Sequence, residues 1–185
     1  EFVRPPKARG NVEAWLLAVQ DEMKATIARR MKEGFKDYTE GGRKEWVLKH
    51  PGQVVATMAQ VMWSQGTTDA IDEMPNDRLS LGTWLEQNIA MLENLTFLVR
   101  SNLTELQRCV IVALITTDVH ARDIVEELKN DQVLSVYDFN WQKQLRYYYE
   151  QDELDGQVVI RQIQATLKYG LEYMGATSRL VITPL

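Results

Sequence analysis

One apolar stripe constrains the fold of this chain more than any other feature of its sequence. Between residues 106 and 128, apolar side chains recur at every third or fourth position, which places them on one face of an α-helix. The stripe comprises Leu106, Val110, Ala113, Leu114, Thr117, Ala121, Ile124, Val125 and Leu128. A helix this long must bury its apolar side against other helices, so the sequence predicts a helical bundle.

The same spacing predicts two helices in the first half of the chain. The first begins after Asn11, a favoured N-cap residue, and ends at the glycine-containing break of residues 40–42, which a short helix or turn follows. The second begins at Pro51, which suits a first helical turn because its missing N–H group costs nothing there. This helix is expected to weaken near residues 64–70, where Gly66 and polar residues accumulate.

Two further helices are predicted in the middle of the sequence. One covers about residues 80–101, with a leucine-rich stripe that also includes Ile89. The other carries the stripe described first. It is expected to begin at Asn102, with Glu105 three residues later in an arrangement resembling a capping box, and to end near Lys129.

The pattern changes towards the C-terminus. Residues 144–151 are rich in tyrosine, residues 157–169 are rich in β-branched side chains, and Asp155-Gly156 supplies a turn between them. This pattern predicts a β-hairpin. Residues 179–182 read as a trailing strand with nothing after it to pair with, which we interpret as a cut through a larger protein. The predicted fold class is therefore mainly α, a bundle of about four long helices followed by a β-hairpin and a trailing strand.

Charge and composition exclude several classes of function. The formal net charge of −5 argues against a nucleic-acid partner, which would require a basic surface. The sequence contains no apolar run of membrane length, so no membrane partner is expected either. An apolar share of 45% suffices for a real core and is typical of a globular domain.

No catalytic or metal-binding constellation emerges. His120 and Asp123 are three residues apart on a predicted helix, and Glu126 and Glu127 are close enough in sequence to be further ligands. We expect instead a helix with ordinary polar contacts, such as a pair between Asp118 and Arg122. The sequence contains neither of the two glycine-rich phosphate-binding motifs, GxxxxGK and GxGxxG. No catalytic residue, metal ligand or cofactor is therefore predicted within this chain.

Other reactive or aromatic residues are expected to be structural. Cys109 is the single cysteine, so no intrachain disulfide is possible, and we expect a small apolar residue on a helix. His50 precedes Pro51 and is expected at the start of a helix. The tryptophans are expected to pack in the core and between helices rather than to form a ligand cage. They are Trp15, Trp46, Trp63, Trp84 and Trp141.

Several motifs resemble one known family. The stretch FNWQKQLRYYYE at residues 139–150, followed by YGLEYMG and RLVITPL at residues 169–185, resembles dynein heavy chains just before their first AAA+ module. DVHARD, NVEAWL and PGQVV match the same family earlier in the chain, so the resemblance covers essentially all of it. WVLKHPGQVV and YGLEYMG are more similar to axonemal members, of inner-arm type, than to cytoplasmic ones.

The resemblance implies a mechanical role. In dyneins, a mainly helical linker lies across the ring of AAA+ modules, and its C-terminal part stays joined to the first module. By this resemblance, residues 1–143 are the helical linker bundle, residues 144–175 are the β-hairpin and connection to the ring, and residues 176–185 are the truncated first strand of the first module. We therefore expect a fragment of a microtubule motor ATPase that transmits the power stroke for ciliary or flagellar movement.

The resemblance also implies a nucleotide contact, partners and a location. The positions matching the family's adenine-side strand are Leu180, Val181, Ile182, Pro184 and Leu185. ATP and Mg are implied for the parent motor and not for this fragment, which lacks the phosphate loop. The implied partners are the chain's own AAA+ ring, microtubules through other parts of the parent chain, and dynein intermediate and light chains. The implied location is the cytoplasm, the cytoskeleton and the ciliary axoneme.

Two other functions fit the residues without the resemblance. One is a free-standing helical adaptor that binds proteins through an exposed stripe, and the other is a small metal-dependent enzyme that uses His120. A trailing strand disfavours the adaptor, since an adaptor needs no unpaired strand. A metal titration tests the enzyme hypothesis, because a chain that binds no metal cannot be a metal-dependent enzyme.

Overall fold

The computed structural model describes residues 10–151 and 156–175, which form six helices and a three-stranded antiparallel sheet. The helices are α1 (Val12–Glu40), α2 (Arg43–Lys49), α3 (Gly52–Glu73), α4 (Ser80–Val99), α5 (Glu105–Asn130) and α6 (Phe139–Gln142). The strands are β1 (Arg146–Gln151), β2 (Gly156–Gln162) and β3 (Ala165–Lys168). The fold class is as predicted, mainly helical with a C-terminal hairpin, while the expected strand in residues 176–185 lies outside the described residues.

Local signals set the ends of the first three helices as expected. The Asn11 side chain accepts a hydrogen bond from the backbone N–H of Glu13 and so caps α1. Gly41 and Gly42 separate α1 from α2 in extended conformations, and Pro51 is the N-cap residue of α3. His50 ends α2 immediately before this proline, so its expected place beside a helix start is confirmed.

Helix α5 begins later than predicted. Its N-cap residue is Thr104, whose side chain accepts a hydrogen bond from Gln107 N, while the Gln107 side chain accepts one from Thr104 N. This reciprocal pair is a true capping box, whereas Asn102 and Glu105 do not form one. The prediction was wrong because Asn102 and Thr104 are both good caps and each has a Glu or Gln three positions later, so the sequence pattern fits either start.

Helix α3 does not weaken at residues 64–70 but continues to Glu73. The indole of Trp84 lies over Gly66, and its Nε1 donates a hydrogen bond to Thr67 Oγ1 at 3.0 Å. Packing from α4 thus compensates for the low helix propensity of this stretch. The absence of a side chain on Gly66 is what lets the indole approach.

The second half of the predicted hairpin is two strands rather than one. β1 pairs antiparallel with β2, and the chain then turns at Ile163 and Gln164 so that β3 pairs back on β2. Ile163 has a φ of 52°, a conformation rare for a β-branched residue, so local sequence favours a continuous strand there. Its N–H group donates to the carbonyl of Gln142 at 2.8 Å, which fixes the turn against α6.

The core consists of two clusters of buried side chains, and α3 contributes to both. One cluster of buried side chains joins the N-terminal part of α3 to the C-terminal part of α4 and the N-terminal part of α5, with contributions from α1, α2 and β2. The other joins the opposite ends of α3, α4 and α5 to α6. Helices α3 and α4 are therefore antiparallel, as are α4 and α5. Among the described residues, no helix is long and apolar enough to cross a membrane.

Not every residue of the predicted stripes is buried. Leu114 in α5 is 2% exposed, as expected, but Leu106 near the start of that helix is 76% exposed. Ile89 in α4 is also exposed, as are Leu16 and Met23 in the first half of α1. At the starts of α1 and α5, the stripes extend beyond the region in which helices face each other, because periodicity marks a face and does not show where a neighbour ends.

Candidate functional site

The candidate functional site is the junction where the sheet packs on the helical bundle. Helix α6 directly precedes the first strand of the sheet and anchors it to the bundle. Its Trp141 is fully buried and packs against Trp63 of α3, with ring centroids 5.5 Å apart. The guanidinium of Arg146, the first residue of β1, lies 5.8 Å from the Trp141 ring and donates to Gln142 Oε1 at 2.8 Å. Aromatic packing and a cation–π contact thus hold the first residue of the sheet to the bundle.

Polar contacts fix β1 along α3. The Oγ of Ser64, which is fully buried, accepts a hydrogen bond from the backbone N–H of Tyr147 at 2.9 Å. One helical turn further on, the hydroxyl of Thr68 lies 3.2 Å from that of Tyr148. Because a one-residue slip would break both contacts, they set the register of the strand against the helix.

The two faces of β1 contact different partners. Tyr147 and Tyr149 pack against the first core cluster, and the Tyr149 ring stacks on Phe35 of α1 with centroids 4.6 Å apart. The ring of Tyr148 lies under the guanidinium of Arg161 at 5.1 Å. The alternation expected for a strand is present, and the tyrosines join the sheet to α1 as well as to α3.

The chain leaves the sheet across the start of α3. Tyr169 N donates to the carbonyl of Val158 at 2.9 Å. The side-chain amide of Gln53 then donates to Tyr169 Oη at 3.0 Å and to the carbonyl of Leu171 at 2.8 Å. Residues 169–175 are therefore held to the bundle although they form neither helix nor strand.

A mostly apolar cleft of about 430 Å³ lies between α3, α5, β1 and these last described residues. Its walls include Leu114 and Tyr147, and its few polar groups include Gln60 and His120. Burial raises the pKa of Tyr147, and the neighbouring Tyr169 raises it further, so this hydroxyl stays protonated at neutral pH. Among the described residues that line it, the hydroxyl of Thr117 donates to backbone carbonyls of its own helix rather than to His120.

The described residues contain no group of three His, Cys, Asp or Glu side chains placed to hold a metal ion. His120 is exposed at the edge of the cleft. Asp123 pairs with the adjacent Arg122, and Asp118 pairs with Arg43 of α2 at 2.6 Å, so the predicted pair of Asp118 with Arg122 is wrong. Burial raises the pKa of Asp118, while Arg43 opposes the rise.

The remaining predicted residues are placed as follows. His50 is buried, with Nε2 lying 2.9 Å from Asp37 Oδ2. Trp46, Trp63 and Trp141 are core residues, as expected. Cys109 is on a helix, α5, as expected, and its side chain is exposed. Leu180, Val181, Ile182, Pro184 and Leu185 all lie outside the described residues, and their adenine-side role stays a prediction.

No protein-family model matches the chain. Dynein axonemal heavy chain 6 of Homo sapiens is 44% identical over 181 residues, which are 97% of this chain and 4% of that protein. Dynein axonemal heavy chain 1 of Mus musculus is 42% identical over 175 residues, 95% of this chain and 4% of that protein. A Chlamydomonas reinhardtii relative, the dynein-1-beta heavy chain of the flagellar inner arm I1 complex, is 34% identical over 184 residues, covering all of this chain and 4% of the relative.

The chain is a homologue of axonemal dynein heavy chains. It spans about 4% of the length of these relatives, one of which is named for a flagellar inner arm. The resemblance inferred from the sequence motifs is thereby confirmed at the level of the family.

Several residues that build the junction carried no sequence signal. Gln53 and Ser64 are polar residues on a largely buried helix, and each bonds a residue more than eighty positions away in the chain. Only their burial in the structure points to a partner, because buried polar groups are nearly always hydrogen-bonded.

Proposed function

We propose that this chain is the C-terminal part of the linker of an axonemal dynein heavy chain. In this role it joins the mechanical lever to the first AAA+ module and transmits the ATP-driven stroke for ciliary or flagellar movement. ATP and Mg bind in the parent motor rather than in this segment. The partners are the motor's own AAA+ ring and, through other parts of the heavy chain, microtubules and the intermediate and light chains.

One observation carries the mechanical part of this proposal: the sheet contacts two of the long helices of the bundle, α1 and α3. Tyr149 stacks on Phe35 of α1, and Tyr147 bonds to Ser64 of α3. A displacement of either helix therefore moves β1 directly, without an intervening mobile loop. By the family resemblance, this displacement passes from the bundle through the sheet towards the ring, since residues 176–185 match the strand that begins the first module.

The relatives' names support the location. All three are called axonemal or flagellar heavy chains, so we propose a cytoskeletal position in the ciliary axoneme for the parent of this chain. The adenine-side contact of residues 180–185 belongs to the same proposal. It predicts that the present chain alone does not bind ATP with micromolar affinity, because the backbone donors and lysine of a phosphate loop supply most of that affinity.

The test uses the complete heavy chain with Tyr147 and Tyr149 both changed to alanine. We expect ATP hydrolysis to continue, because the phosphate loop is untouched, and microtubule gliding to slow. Each ring is only half-buried, so the loss of stability per ring should fall below the 3–5 kcal/mol typical of fully buried aromatics.

Tyr137→Ala is the matched control, because this ring is 85% exposed and contacts no core cluster. Gliding speed, ATPase rate and melting temperature are measured on all variants. Slow gliding with normal hydrolysis and folding supports transmission through β1. Full gliding speed in the double variant overturns it, and a joint loss of all three properties assigns the tyrosines to folding alone.

A further inference from the structure

Residues 169–175, here called the strap, are hydrogen-bonded to α3 through one side chain, that of Gln53. Gln53, which is 7% exposed, uses both N–H groups of its amide, one for Tyr169 Oη and one for the carbonyl of Leu171. The Tyr169 hydroxyl in turn lies 3.3 Å from the carbonyl of Glu172 and donates to it. A single buried glutamine thus organises three consecutive polar contacts on a segment without regular secondary structure.

The strap has an unusual backbone conformation. Leu171 has a φ of 66°, in the left-handed region that bulky side chains rarely adopt. Gly175 at the end of the strap also has a positive φ, of 77°. A leucine keeps such a conformation only where its surroundings enforce it, and here they are the Gln53 bond to its carbonyl and packing of its side chain on the first core cluster.

The strap also forms one wall of the cleft. Tyr169, Tyr173 and Gly175 line it, opposite residues of α3 and α5 that include Val110. Tyr173 and Val110 both lie against Gly52, where an added Cβ would be 3.5 Å from Tyr173 Oη and 3.0 Å from Val110. Moving the strap away would therefore expose the apolar side chains beneath it to water.

We propose that the strap is a load-sensitive latch and that Gln53 is its clasp. The strap lies in series between β3 and the chain beyond Gly175, so a pull from that side must load it before it loads the sheet. The two Gln53 bonds are its direct ties to α3, whereas β2 is paired along its length with β1 and β3. Opening would release seven residues, which reach about 23–25 Å when extended.

Such a latch gives the connection two mechanical states. With the strap closed, the connection is short and stiff, and displacement of the bundle passes on without slack. With the strap open, the released chain adds slack, and the cleft is accessible. That the AAA+ ring exerts this pull rests on the proposed function. The closed and open states themselves involve residues of this chain alone, so they can be measured without the ring.

The test measures opening in the isolated 185-residue chain. In a Cys109→Ser background, Val110→Cys places a thiol under the strap, and its labelling rate by a small disulfide reagent reports how often the strap opens. Gln53→Ala removes two hydrogen bonds and should accelerate labelling about tenfold or more. Tyr169→Phe keeps the ring but removes one bond, so a smaller acceleration is expected.

Ser64→Ala is the control, because it removes the hydrogen bond that holds β1 rather than the strap. Labelling that is equally fast with and without Gln53, or accelerated as much by Ser64→Ala, overturns the latch. In single-molecule pulling between the chain ends, a step of about 20 Å should precede bundle unfolding, and Gln53→Ala should move that step to lower force. Neither measurement involves ATP or microtubules, so a failed gliding test leaves the latch standing and a failed latch leaves the gliding test standing.

Discussion

The ring of Tyr149 in β1 stacks on the ring of Phe35 in α1, with centroids 4.6 Å apart and planes inclined by 27°. The two residues are far apart in sequence, and their contact ties the sheet to the longest helix of the chain. A double-mutant cycle with Phe35→Ala and Tyr149→Ala should give a coupling energy of about 0.5–1.5 kcal/mol in chemical unfolding. Strictly additive losses would show that the rings stabilise the fold without acting on each other.

The close crossing of α1 and α3 at Gly34 should not tolerate a methyl group. A Cβ there would lie 2.4 Å from Val54 Cγ1, and both residues are buried. We expect Gly34→Ala to lower the free energy of unfolding by about 1–3 kcal/mol through overpacking.

Gly82→Ala is the matched control, since its Cβ would meet nothing closer than Lys129 at 3.7 Å. There, higher helix propensity should stabilise the protein by about 0.5–1 kcal/mol. Thermal melting separates the two variants, and equal changes in both would contradict the crossing.

The buried part of the α5 stripe should reject a charge that its exposed start accepts. Leu114→Asp places a carboxylate among core side chains and should cost several kcal/mol, enough to unfold much of the protein, because a domain's stability is about 5–15 kcal/mol. Leu106→Asp should be close to neutral, since this residue is exposed and in the first turn, where the helix dipole favours negative charge. Circular dichroism melts compare the two, and a stable Leu114→Asp variant would contradict the packing of α5.

The turn between β2 and β3 should be improved by a residue that accepts a positive φ. Ile163 adopts a φ of 52° and is 52% exposed, so Ile163→Asn loses little burial and relieves backbone strain. We expect a gain of about 1 kcal/mol, the lower end of the usual cost of such strain. Leu167→Asn in β3, exposed and without a positive φ, should give no gain in the same urea titration. Destabilisation by Ile163→Asn would mean that the side chain, rather than the backbone, holds the turn.

Asp37 should contribute to stability only above acidic pH. The hydrogen bond from Lys49 holds the pKa of this carboxyl below its usual range, with a further contribution from His50. A depressed pKa in the folded state means that the contribution is present above the unfolded pKa of about 3.9 and is lost as pH falls through the folded value. Melting temperatures between pH 5 and pH 2 should therefore fall less for Asp37→Asn than for the unchanged protein. Parallel curves would contradict the role of Asp37.

Local chemistry made much of the helical architecture predictable from sequence. Asn11, the glycines at 41 and 42, and Pro51 act through their own side chains or their own φ preferences, so their effects do not depend on distant residues. Apolar periodicity likewise identifies which face of each helix is buried. The tyrosine alternation in β1 was predictable for the same reason, because a strand alternates its faces whatever packs against it.

Tertiary structure decided the features in which local preference competes with a distant partner. Ile163 favours an extended strand, but the carbonyl of Gln142 binds its N–H group and bends the chain there. Asp118 has Arg122 one helical turn away, yet it pairs with Arg43, which is 75 positions distant. In both cases, the energy of a contact with a residue distant in sequence outweighs the local preference, and a sequence read along its length does not contain that contact.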